Sequence, residues 1–326
     1  MTSTAYTSVP VHLRSLVSQQ SVYDPGGTER SRTTYEYDNY NQNTPDTFHG
    51  TLTNRSNITG LDSAYTTTHY TRGNVTKTTR SLLDTSGNVT GSISSYAQYD
   101  IAGNMVKSID PRSTTNSIIA TIFDFSDRYG IPDTEAESNT RPAEVPLGFQ
   151  TYAFPTLVTN ALGHTAYTQY DYYLSKPVNT EDANSIVGKL RYDDALERPT
   201  GVDVGIFSGS QMQRHTSFVY GDPSHSITTQ SDQTTLNDGL LTSTLVYDGL
   251  GRTTETRTSV PEGTVYITQE YDGLGRVKRS YNPYRTTSET TYGYADTTYD
   301  GLGRVLTVKT SDNALVTTTF SGNATQ

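Results

Sequence analysis

The sequence predicts an all-β chain built from repeated antiparallel hairpins, and three observations predict it. The hexapeptide Tyr-Asp-Gly-Leu-Gly-Arg stands at Tyr247–Arg252, Tyr271–Arg276 and Tyr299–Arg304, so its starts are 24 and 28 residues apart. A unit recurring at that spacing is the signature of a repeat architecture, in which each element buries its face against its neighbours. The apolar surface is carried by 25 Tyr against 8 Phe in a Thr-rich chain with no Trp, and Tyr and Thr both favour pleated strands. No stretch places apolar residues at three-and-four spacing, which leaves helix without a signal.

Residues 1–30 read as an irregular N-terminal segment with a turn at Asp24-Pro25-Gly26-Gly27, and residues 31–326 as the repeat array. Degenerate copies of the hexapeptide follow in order. Tyr37-Asp38 keeps only the dipeptide, and Tyr70 to Asn74 keeps Gly73. Tyr99-Asp100-Ile101-Ala102-Gly103-Asn104 keeps Tyr99, Asp100 and Gly103, while Phe123 to Arg128 keeps the aromatic, the Asp and the Arg. Tyr170-Asp171 keeps the dipeptide, and Tyr192-Asp193 with Leu196-Glu197-Arg198 is a further weak copy. Gly-Asn pairs at Gly73-Asn74, Gly87-Asn88 and Gly103-Asn104 mark turns, as does Leu162-Gly163-His164. A Pro- and Glu-rich excursion interrupts the array at 131–147.

Each unit reads as a hairpin. In the second copy Tyr271 ends a strand, Asp272 accepts from backbone N–H groups just ahead of it, and Gly273 and Gly275 permit positive φ. Arg276 then opens the return strand after a four-residue loop, a common hairpin connection. The same roles fall to Tyr247, Asp248, Gly249, Gly251 and Arg252, and to Tyr299, Asp300, Gly301, Gly303 and Arg304. The flanks alternate with period two: Val265, Ile267 and Tyr271 share one parity, as do Leu306 and Val308 against Thr307 and Lys309.

Composition removes several function classes. The net charge of −10 and the lack of any basic run argue against a nucleic-acid partner. The absence of Cys excludes disulfides, thiolate catalysis and Cys-based metal sites. No apolar run reaches the ~20 residues of a spanning helix, so no membrane insertion is expected. Met1 to Gln20 shows no basic stretch followed by an apolar core, and both ends read as cut from a longer array. The six His lack zinc-site spacing, and neither an H-E-x-x-H helix nor a G-x-S-x-G elbow is present. Gly249-Leu250-Gly251 lacks the third Gly of a dinucleotide loop, and among 34 Asp and Glu no single pair stands out as a glycosidase couple. Catalytic residues, metal ligands and cofactors are therefore none. The sequons at Asn54, Asn57, Asn74, Asn88 and Asn323 are what a Thr-rich chain produces by chance.

The Tyr-Asp pair followed by Gly and then Arg or Asn, repeated in this background, resembles the Rhs/YD-repeat family. The resemblance covers roughly residues 30–326 and is specific at the three hexapeptides and at Tyr99–Asn104. It implies a β-sheet strip that spirals into a shell in a bacterial secreted or cell-surface protein, with polymorphic toxins, insecticidal toxin components and the teneurins as relatives. Such shells enclose a C-terminal toxic domain or serve in adhesion. This chain departs from that plan: it carries no toxin domain after the repeats and no Asp-Pro core motif, and it is short for a whole shell.

The expected function is accordingly that of a non-enzymatic structural and interaction protein, extracellular or at the cell surface. Its partners are other copies joined through open strand edges, or neighbouring repeats. An encapsulating toxin scaffold, and a carbohydrate-binding module using exposed Tyr to stack on surface glycans, stand as alternatives.

Overall fold

The computed structural model describes residues 2–6, 15–42, 46–129, 141–206, 211–321 and 324–325. The chain divides into two units, Met1–Val187 and Gly188–Gln326. The expected all-β class of repeated antiparallel hairpins is what forms; the one helical element among the described residues is a single 3₁₀ turn at Asp222–Ser224.

The first unit is a meander of β1 (Thr2–Tyr6), β2 (Val17–Tyr23), β3 (Glu29–Tyr37), β4 (Val75–Leu83), β5 (Val89–Tyr99), β6 (Met105–Ile109), β7 (Ala120–Asp124), β8 (Leu157–Thr159), β9 (Thr165–Asp171) and β10 (Lys176–Glu181). Each strand pairs antiparallel with the next. β11 (Ile186–Arg191) falls at the division between the units. The second unit holds β12 (Gly201–Ile206), β13 (Gln211–Gly221), β14 (Ser226–Ser231), β15 (Leu241–Tyr247), β16 (Thr253–Val260), β17 (Gly263–Tyr271), β18 (Val277–Tyr281), β19 (Tyr294–Tyr299), β20 (Val305–Thr310) and β21 (Leu315–Thr317), again paired in sequence order. A short hairpin of β22 (Phe320–Ser321) and β23 (Ala324–Thr325) follows.

Two sequence expectations change here. The described part of residues 1–30 is not irregular: β1 and β2 lie within it, and the expected turn at Asp24-Pro25-Gly26-Gly27 closes a hairpin in which Tyr23 faces Glu29. Tyr37-Asp38 and Arg72-Gly73-Asn74 are not two weak copies but the halves of one. The Asp38 N–H donates to Asn74 O at 2.9 Å, and Tyr37 pairs with Val75. The chain leaves the sheet after Asp38 and returns 33 residues on, a detour that costs little because loop-closure entropy grows only with the logarithm of length. A second long connection joins β7 to β8, with Thr156 N–H returning to Asp124 O at 2.8 Å. The excursion expected at 131–147 falls within it. Residues 131–140 lie outside the described residues, while 141–147 carry a turn from Pro142 to Val145 and the start of another at Pro146.

The detours supply the core. Tyr40 and Leu52 from the first pack on Ile101 of the sheet, flanked by Ile58, Leu61 and Tyr99. Full burial of such a side chain stabilises by ~1.5–3 kcal/mol. Among the described residues the buried hydrophobic side chains Tyr40, Leu52, Ile101, Ile109, Val145 and Val187 belong to the first unit. Among the described residues of the second unit no apolar side chain is buried; only Gly201, Gly205 and Gly293 are.

Candidate functional site

The recurring turn is built from one aspartate. Asp272 N–H donates to Arg276 O at 2.9 Å, and Gly275 N–H donates back to Asp272 O at 3.0 Å. The Asp272 Oδ1 accepts from the N–H groups of Leu274 and Arg276, each at 2.9 Å. This is a type I turn from Asp272 to Gly275, closed by a left-handed residue that forms a bulge, and it matches the right-handed twist of the strands. Only the second glycine needs its freedom. Gly275 sits at φ +83°, whereas Gly273 stays outside the left-handed region and has open space where a Cβ would go. The same holds for Gly251 against Gly249 and Gly303 against Gly301. The expectation that both glycines adopt positive φ is corrected, and Ile101 shows why: it fills the first glycine's place in the copy at Tyr99–Asn104, while Gly103 keeps φ +88°. A second correction concerns Arg276, which is still within the turn; Val277 is the residue that pairs with Tyr271.

The arginine has two tasks. Its Nε donates to Asp272 Oδ2 at 2.7 Å, with the same geometry at Arg252–Asp248 and Arg304–Asp300. Its guanidinium also lies over the tyrosine of the following repeat. Arg252 stacks on Tyr271 and Arg276 on Tyr299, each 4.6 Å from the ring centroid. That tyrosine then donates its hydroxyl to the carbonyl just after the arginine, Tyr271 to Thr253 at 2.7 Å and Tyr299 to Val277 at 2.8 Å. Tyr220 completes the same pair of contacts with Arg198 and Pro199, at 3.9 Å and 2.7 Å. Tyr220, Tyr271 and Tyr299 are thus each fastened to the preceding turn by a ring, a cation and one hydrogen bond. The spacing of the hexapeptides could have suggested it, since Arg and the next Tyr come two strands apart on one edge.

The turn is commoner than its hexapeptide. The paired backbone bonds recur at Asp24, Asp84, Asp100, Asn160, Asp182 and Thr310 as well as at Asp248, Asp272 and Asp300. The fourth position is left-handed in every case, filled by Ser185 and Asn313 where glycine is absent. The copy at Tyr192 is shifted by one: Asp194, not Asp193, holds the turn, with Leu196 N–H and Arg198 Nε and Nη2 donating to its carboxylate and Glu197 at φ +56°. The readable signal is Asp, Asn or Thr followed at the third place on by Gly, Asn, Ser or Glu; the tyrosine is optional.

The carboxylates of Asp248, Asp272 and Asp300 are held below their ordinary range. For Asp248 the Arg252 side chain is the main cause; for Asp272 and Asp300 it is the backbone N–H of Arg276 and Arg304. Arg198 holds Asp194 down to about 2. Such groups stay ionised as acceptors and suit turn-making better than proton donation.

One copy is built differently. In Tyr99–Asn104 the last position is Asn104, and Asp100 is fully buried. Its carboxylate accepts from Ala102 N–H at 3.0 Å and Asn104 N–H at 2.9 Å, and the cation comes from Arg55 in the detour, Nε to Oδ2 at 3.0 Å. Arg55 in turn lies 4.9 Å from the Tyr152 ring. A buried carboxylate needs a paired charge, and a residue 45 positions away provides it. Nothing local in the sequence marks Arg55 for that part.

Two histidines also depart from the reading as loop strays. His49 is buried on the edge of Tyr96, its Nδ1 2.5 Å from Asp46 and its Nε2 3.0 Å from Glu36 Oε1, the latter without hydrogen-bond alignment. His215 faces Asp203 across β12 and β13, beside Arg191. Burial pushes Asp203 up, but hydrogen bonds from Arg191 and His215 outweigh it and hold the carboxyl low. Among the described residues no group of three or more His, Asp and Glu is placed to hold a metal ion.

No family model and no curated protein matches this chain. Among solved structures it is similar to a chain of the TcdB2-TccC3-Cdc42 crystal structure, at TM-score 0.48 and 14% identity over 93% of this chain and 16% of that one. It is similar to a chain of the Photorhabdus luminescens Tc holotoxin pore, at TM-score 0.41 and 14% identity over 93% and 17%. A third, TcdB2-TccC3 without its hypervariable C-terminal region, gives TM-score 0.36 and 12% identity over 98% and 19%. The chain therefore spans less than a fifth of the length of the chains it matches.

Proposed function

We propose that this chain is a non-catalytic repeat scaffold, a wall segment of a secreted or cell-surface YD-repeat protein that extends by adding strands at its open edges. The observation that carries this reading is the reuse of one turn, with its aspartate spent on backbone N–H groups each time. A carboxylate fixed in that way is a structural acceptor. β1 and β21 each pair with one neighbouring strand, and Leu315 and Val316 on β21 are exposed. Such an edge templates another strand, and a head-to-tail contact of this kind grows open strips. Electron microscopy of the purified chain tests it. Extended strips that vanish in Thr317→Pro are expected, since the Thr317 N–H points away from β20 and proline removes it as a donor at the open edge. Strips unchanged by that substitution, or turnover of a substrate by the chain, would overturn it.

A second reading rests on Tyr266, Tyr281, Tyr284, Tyr292 and Tyr294, whose rings meet at centroid distances of 5.1–6.5 Å beside the Arg279–Asp296 ion pair. Half-exposed rings next to planar charged groups suit stacking on surface glycans. A glycan array on which the wild type and Tyr292→Ala give equal signal would remove it.

A further inference from the structure

The second unit presents a sheet face that has no cover of its own. Residues directly opposite one another in an antiparallel ladder share a face. One rung runs Tyr220, Ile227, Leu245, Thr256 and Ile267 across five strands. The next carries Phe218 and Val265. Leu245 and Ile267 remain 37% and 38% exposed. The opposite face runs Thr228, Thr244, Arg257 and Tyr266 and carries the charges of Glu255, Glu270, Arg279 and Asp296. It also holds the backbone bridge between Tyr266 and Tyr284.

We propose that this apolar face packs against the same face of a second copy of the chain. Two observations select that occupant. From β12 to β20 no strand residue on this face is Asp or Glu, although the chain carries a net charge of −10. Two copies meeting here bring no strand carboxylates together, Arg214 being the charge that β13 adds to this face, whereas the opposite face would bury Asp203, Glu255, Arg257, Glu270, Arg279, Asp296 and Lys309. The area also fits. Nine strands ~4.8 Å apart and ~20 Å long offer roughly 800 Å² per copy, which is the size of a standard stable interface. Two such faces pack ~10 Å apart with strands inclined by about 30°, as in a β-sandwich.

The test is the oligomeric state of the full chain by analytical ultracentrifugation, comparing wild type with Thr256→Arg and Thr244→Arg. Both threonines are polar strand positions outside any core, so both variants are expected to fold, with circular dichroism as the check. Dimer is expected for the wild type and for Thr244→Arg. For Thr256→Arg, two unpaired guanidinium groups in an apolar seam raise the dissociation constant by at least ~100-fold. Should Thr256→Arg misfold, Thr256→Cys serves instead: in a chain without cysteine, a disulfide between copies forms there and not in Thr244→Cys. A wild type that stays monomeric at ~100 μM, above the Kd of a standard interface, would overturn the proposal. So would association that both arginine variants retain equally. Thr317→Pro separates this contact from edge growth, because face pairing persists in it.

Discussion

Asp100 and Asp272 hold the same turn in opposite surroundings. Asp272 lies on an exposed strip, where its own Arg276 serves as partner and both side chains are about one-quarter exposed. Asp100 lies under a detour and is fully buried, with Asn104 in the arginine's place and Arg55 supplying the charge. An exposed repeat carries its cation with it because water forgives an imperfect pair. A buried one depends on tertiary structure to bring the cation, and that makes it the more vulnerable of the two.

Removing the two cations separates them most. Arg55→Met leaves a buried carboxylate unpaired and is expected to destabilise the first unit by ~3–5 kcal/mol, read as a lower urea midpoint. Arg276→Met is expected to cost about 1 kcal/mol, from an exposed ion pair and an exposed cation–π contact. Equal losses would dissolve the distinction. The glycines sharpen it at the level of the turn. Gly275→Ala places a Cβ at φ +83° and is expected to cost ~1–2 kcal/mol, while Gly273→Ala is expected to stabilise by ~0.4–1 kcal/mol by restricting the unfolded chain. Tyr271→Phe, which loses the bond to the Thr253 carbonyl, is expected to cost ~0.5–1.5 kcal/mol.

Acid tests the carboxylates together. The folded pKa values of Asp110, Asp194, Asp248, Asp272 and Asp300 lie below the unfolded value, so the stability these groups contribute is present in full above about pH 4. It is lost as pH falls through the folded values, which reach about 2 at Asp110 and Asp194. The urea midpoint of the wild type is expected to fall between pH 4 and pH 2, and a midpoint flat over that range would contradict the assignment.

The strands, the hairpin period and the aspartate of each hexapeptide were legible in the sequence, because a turn is a local device and its residues are contiguous. Gly273 and Gly275 were not distinguishable by type; only the type I geometry shows that one of them is replaceable, as Ile101 confirms in its own copy. The split turn at Asp38 and Asn74 was hidden by the residues between its halves; the turn at Asp24–Gly27 was legible, but its kinship with the hexapeptide was masked by proline and threonine at places where the hexapeptide has glycine and arginine. Arg55 was out of reach, since its partner is chosen by how a detour packs on Ile101. The stacking of Arg252 on Tyr271 belongs to the same class: it depends on register across two strands and not on neighbours in the chain.

The measurement that bears most directly on the scaffold reading is a double-mutant cycle on Arg252 and Tyr271, using Arg252→Met, Tyr271→Leu and the pair in equilibrium unfolding. If consecutive repeats are fastened through this contact, the coupling energy is ~0.5–1 kcal/mol in favour of the native pair. Additive losses, with no coupling, would contradict the claim that the motif serves to join one repeat to the next.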